Sequence, residues 1–174
     1  MPENQNLEVW QRGPIEGVPA LLQPVAHAML QAVEDIKAEM SSFSPALLWT
    51  RPGNVASVGF HIKHVRGVID RLFTYARGEM LNEDQMRSLK DESVASESDT
   101  IELLVDAFRA QVNQAILQLK STDINTLSDP RGVGRKQIPS TVIGLLFHAA
   151  EHVQRHVGQL IVTARILRMI TIRA

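Results

Sequence analysis

The chain contains no cysteine. Disulfides, thiolate metal ligands and a cysteine nucleophile are therefore excluded, and the absence is compatible with a reducing cytoplasm. Aromatic residues are scarce, at 5% of 174 positions, so a core must be filled mainly by Leu, Ile, Val, Ala and Met. Neither charge dominates. Eighteen Lys and Arg against 19 Asp and Glu give a net charge of -1, which leaves no basic footprint for nucleic acid. No uncharged apolar run approaches the roughly 20 residues needed to span a bilayer. The polar opening MPENQNLEVWQRGP lacks the charged-then-apolar order of a signal peptide. Period-two alternation and repeats of 20 to 50 residues are missing too. The expectation is a single soluble cytoplasmic domain over residues 1–174, with an irregular arm over 1–18 and no nucleic-acid or membrane partner.

What is present is helical rhythm. From Val18 to about Ser42, the residues Leu22, Val25, Ala26, Met29, Val33, Ile36 and Met40 follow the three-four spacing of an amphipathic helix, with Pro24 marking a candidate start. A loop with two prolines follows, and a second helix runs from about Val55 to Arg77. Its stripe is Val58, Ile62, Val65, Ile69 and Leu72, and Gly78 ends it. The charged stretch 79–97 reads as a long crossover holding a short surface helix. A third long helix, from Ser98 or Thr100 to Lys120, turns Leu104, Phe108, Val112, Ala115 and Leu119 to the core. The Gly- and Pro-rich segment TDINTLSDPRGVGRKQIPS reads as a loop. The fourth helix, Ser140 to Ala164, begins after Pro139 with Ser as its cap; the apolar RILRMITIRA beyond it is a packed tail or a continuation. Four long helices with polar connections predict an all-α four-helix bundle with a long crossover between helices 2 and 3.

Five of the six histidines lie on two of these helices: His61 and His64 on the second, His148, His152 and His156 on the fourth. The last three recur every fourth residue and share one helix face. His27 alone reads as an ordinary hydrogen-bonded helical histidine. The cluster is different, because several neutral imidazoles side by side need partners that an apolar core lacks. One cation satisfies them together.

Several metal chemistries fail on what is missing. His148-Ala-Ala-Glu151-His152 matches the H-x-x-E-H pattern of inverted zinc peptidases, but no Asp or Glu follows Glu151 to act as the further acidic ligand. Di-iron bundles need Glu-x-x-His pairs, and there are none. No G-x-S-x-G elbow supports a catalytic serine. An all-histidine site on two helices survives, with an open position for water or substrate.

The segments SVGFHIKHV and HVQRHVGQ, in that order and on those helices, resemble the motif of the DinB-like (YfiT or damage-inducible) family. The resemblance spans the second helix through the fourth, with Val157 standing where the family usually has Arg. It implies a four-helix bundle that binds a divalent ion, zinc or nickel, through His64, His152 and His156. It further implies a homodimer, for which the apolar residues Ile143, Phe147, Ala150, Val157 and Ile161 around the last helix give modest support. In relatives of known activity the metal activates a low-molecular-weight thiol. The expected function is therefore S-transfer to an electrophilic small molecule, with a metal-dependent hydrolase or a non-catalytic metal-binding stress-response protein as alternatives. His61, His148 and Gln159 are expected as pocket wall or as partners of the ligand rings, and Glu151 as surface. Tyr75 and Trp49 are open as pocket groups.

Overall fold

The computed structural model describes residues 7–172. In chain order the elements are α1 (Gln23–Met40), α2 (Val58–Ala76), α3 (Glu83–Asp91), α4 (Ile101–Ser121), β1 (Pro130–Val133), β2 (Ile138–Thr141) and α5 (Val142–Ile172). Helices α1 and α2 each pack against both α4 and α5. Between them lies one apolar core, in which Leu22, Met29, Ile36, Ile62, Ile69, Phe73, Phe108, Leu119, Leu146 and Leu160 are fully buried. None of the described helices is long and apolar enough to cross a membrane.

Local chemistry sets the helix limits. Pro24 occupies the first turn of α1, where a missing N–H costs nothing. The Ser57 hydroxyl accepts from the Phe60 N–H and starts α2, and Gly78, at φ +81°, ends it. Asn82 and Gln85 cap α3 reciprocally, and Thr100 caps α4. The short helix α3 lies where the charged crossover was expected to hold one.

The expectation of an all-α bundle holds for its helices and misses a sheet. There are five α-helices, the four long ones and the short α3, and a small antiparallel sheet among the described residues. The segment read as a loop before the last helix contains a β-hairpin, paired from Pro130↔Thr141 to Val133↔Ile138. Four-residue strands are too short to show a period of two, and Pro130 and Pro139 read as breakers, although proline is tolerated on edge strands. The hairpin also moves the start of α5. Ser140 and Thr141 pair in β2, and the Thr141 hydroxyl accepts the Gly144 N–H at 3.1 Å. At its far end α5 continues well past Ala164, because Ala164 and Leu167 are still buried in the core.

The described part of the expected irregular arm is tied to α1. Residues 1–6 of it, and with them the start of the polar opening that lacks a signal-peptide pattern, lie outside the described residues. Val9–Arg12 forms a 3-10 turn, Arg12 holds Glu34 of α1 through two hydrogen bonds, and the Gln23 side chain bonds the backbone of Ile15 and Val18.

Candidate metal centre

Helices α2 and α5 run against each other, and their histidine faces meet. His64 brings Nε2 to 3.0 Å from Nε2 of His152. The His156 ring centroid lies 4.4 Å from that of His64 and 4.6 Å from that of His152. One ring nitrogen from each of His64, His152 and His156 falls within 4.8 Å of the other two. Two nitrogens each about 2.0–2.1 Å from one tetrahedral ion stand roughly 3.3 Å apart, so the spacing is of the right size. Among the described residues no fourth ligand-type atom joins these three.

The remaining site candidates separate by position. His61 is buried, at 3% exposure, and its Nδ1 lies 3.0 Å from Nδ1 of His156. That contact engages Nδ1 of His156. His148 is half-exposed and bonds Glu151 at 2.6 Å. These two and His152 form a second possible cation group, but Arg155 already holds the Glu151 carboxylate at 2.9 Å. Gln159 is exposed and lines a cleft of about 650 Å³ beside His61, together with Val55, Ala56, Arg155, Gly158, Val162, Thr163 and Ile166. Tyr75 and Trp49 do not line it. Tyr75 is buried in the core, and Trp49 packs flat on Gly59 of α2 under the Lys63 ammonium. His27 bonds the Gly13 carbonyl and so ties the N-terminal segment to α1.

Electrostatics favour neutral rings. Burial, and after it the neighbouring His64, pushes His61 down to about 4. Burial followed by the surrounding rings does the same for His156, also to about 4. His152 is lowered by the same two causes in the same order. Neutral imidazole is the form that ligates a metal. Glu151 is held low chiefly by its hydrogen bond from Arg155, which marks it as a surface ion pair.

Sequence reasoning missed one contributor. Nδ1 of His64 lies 2.7 Å from Oε2 of Glu92, and Oε1 of Glu92 accepts from Arg71 at 2.5 Å. Glu92 follows α3 in the charged crossover and is only 5% exposed. It is 28 positions from His64, and no local pattern marks it among the surface charges around it.

The donor set fits a cation. His64, its Nδ1 engaged by Glu92, turns Nε2 to a second imidazole nitrogen 3.0 Å away, and His152 Nδ1 is buried without a partner. Three neutral nitrogens suit a borderline ion such as zinc or nickel.

No curated protein matches the chain. The fold is similar to the crystal structure of a conserved protein from Enterococcus faecalis, with a TM-score of 0.66 and 21% identity over 83% of this chain and 95% of that one. The sequence model of the DinB superfamily matches residues 21–160, a stretch that includes every histidine of the cluster. This chain belongs to the DinB superfamily.

Proposed function

We propose that this protein is a metal-dependent enzyme that transfers the sulfur of a low-molecular-weight thiol to an electrophilic small molecule. The observation that carries the reading is a three-imidazole set with no fourth protein ligand among the described residues, linked through His61, which contacts His156, to a largely apolar cleft. His64, His152 and His156 would hold the ion, zinc or nickel by the nature of the donors. Once bound, such a cation supplies an undiminished positive charge that favours the thiolate form of a sulfur brought beside it.

The chain's own residues do the rest. Val55, Ala56, Val162 and Ile166 offer apolar surface to the body of a substrate, while Arg155, Gln159 and Thr163 offer polar contacts at its edge. His61 backs the His156 ring, and His148 keeps Glu151 company at the rim. No cysteine is available as a nucleophile, so the sulfur must come from outside. In the transfer the thiol gives its proton to solvent and a carbon–sulfur bond forms at the electrophilic carbon. The bond from that carbon to the leaving group breaks, the leaving group departing with its electron pair. A cysteine-free chain suits the reducing cytoplasm, and the exposed Phe147, Met169 and Ile170 of α5 support a homodimer, whereas Ala150 and Val157, read from the sequence as part of that face, are buried in the core.

The assay pairs metal-loaded protein with chlorodinitrobenzene or monobromobimane, with and without glutathione, bacillithiol or mycothiol. Thiol-dependent turnover that disappears in His156→Ala supports transfer. Turnover of esters or amides without thiol assigns a hydrolase instead. Inactivity in every combination assigns a non-catalytic metal-binding protein of the stress-response kind.

A further inference from the structure

We propose that Glu92 is the positioning residue of the site: anchored by Arg71, its carboxylate fixes His64 as the Nδ1–H tautomer and turns the Nε2 lone pair toward His152 and His156. The consequence for metal binding rests on the reading of the three histidines as ligands; the tautomer does not.

The argument starts from donors and acceptors. Arg71 can only donate, and it occupies Oε1 of Glu92 at 2.5 Å. The carboxylate then accepts on Oε2 as well, 2.7 Å from Nδ1 of His64, so the shared proton sits on Nδ1. In the neutral ring Nε2 is then the bare nitrogen, and it is the one 3.0 Å from His152. The side chains of Glu92 and Arg71 are 6% and 11% exposed, so little water competes for these bonds.

The surroundings are shaped for this contact. A Cβ on Gly67 would stand 2.3 Å from Oε1 of Glu92 and 2.5 Å from Nη1 of Arg71, so glycine is what lets the pair lie against α2. The crossover is pinned on either side of Glu92. Gln85 bonds Asp70 and Thr74, while Lys63 bonds the Val94 carbonyl and the Asp99 carboxylate. The long crossover thus delivers one carboxylate to the back of one ligand ring. Such partners fix ring orientation and raise ligand basicity, and losing them typically lowers metal affinity about 10–100-fold.

Glu92→Gln gives the sharpest test because it keeps size while exchanging one acceptor for a donor. Its amide oxygen must face Arg71, so its NH2 faces Nδ1 of His64 and the ring proton moves to Nε2. In 15N-labelled, metal-free protein, long-range 15N–1H correlation should show His64 as Nδ1–H in the wild type and as Nε2–H in Glu92→Gln. Zinc affinity, measured by competition with a chromophoric chelator, should fall about 10–100-fold in Glu92→Gln and in Glu92→Ala. A residue that only braced the crossover would lower the melting temperature and leave the tautomer alone. The proposal is overturned by a wild-type His64 protonated on Nε2, by an unchanged tautomer in Glu92→Gln, or by variant affinities within twofold of a zinc-binding wild type. A tautomer that inverts in a protein that binds no zinc upholds the positioning role and removes the metal reading instead.

Discussion

Acidification of the metal-free protein should cost stability in a window set by the histidines. His61 is an ordinary histidine in the unfolded chain, near 6.5, and is pushed to about 4 in the folded one by burial and by His64. Above pH 6.5 it is neutral in both states and contributes no pH dependence. Between 6.5 and 4 the unfolded chain takes up a proton that the folded chain refuses, so stability falls as pH falls. Below about 4 both states are protonated and the loss from this group stops. At 1.36 kcal/mol per pKa unit, the full effect of His61 is about 3 kcal/mol. His156 and His152 act in the same direction, but they are more exposed, and water blunts their share. Glu34, Glu79 and Glu151 are lowered from 4.5, so their stabilisation is lost only below that pH and leaves the upper window to the histidines. Urea unfolding followed by circular dichroism from pH 7.5 to 5, in the presence of a chelator, measures the slope. We expect a loss of at least about 1 kcal/mol per pH unit below pH 6, with a shallower slope in His61→Gln. Equal stability at pH 7 and pH 5, or a gain on acidification, would refute the buried neutral cluster.

Other outcomes follow from packing. Phe108 is fully buried on α4, and Phe108→Ala should cost about 3–5 kcal/mol in the same unfolding assay. Gly59→Ala would set a Cβ 2.9 Å from the Trp49 ring; it should destabilise by about 1–3 kcal/mol and shift tryptophan emission. Thr100→Ala removes the cap of α4 and should cost about 1 kcal/mol. Light scattering at micromolar concentration should give the mass of a dimer; a monomer of 19.4 kDa would remove the role assigned to the exposed face of α5.

Much of this architecture can be read from residues that act locally. The stripe of α4 from Leu104 to Leu119 is buried as its spacing requires, and Gly78 ends α2 where expected. The recurrence of histidines on α5 likewise announces a site, because i,i+4 spacing alone places them on one face. What stayed hidden depends on pairing across distance. The strands β1 and β2 exist through each other, and neither has enough residues to show a pattern alone. His61 reads as pocket wall until α5 brings His156 to its Nδ1. Glu92 looks like one more solvated acid until the crossover folds it onto Arg71 and His64.

The central claim is the ion, and metal analysis tests it most directly. Protein purified without chelators and without a nickel column should carry about one divalent ion per chain by inductively coupled plasma mass spectrometry. Alanine at His64, His152 or His156 should each strip it, and His148→Ala should keep it. A wild type without stoichiometric metal would contradict the account. So would a His152→Ala variant that retains full occupancy while His148→Ala loses it.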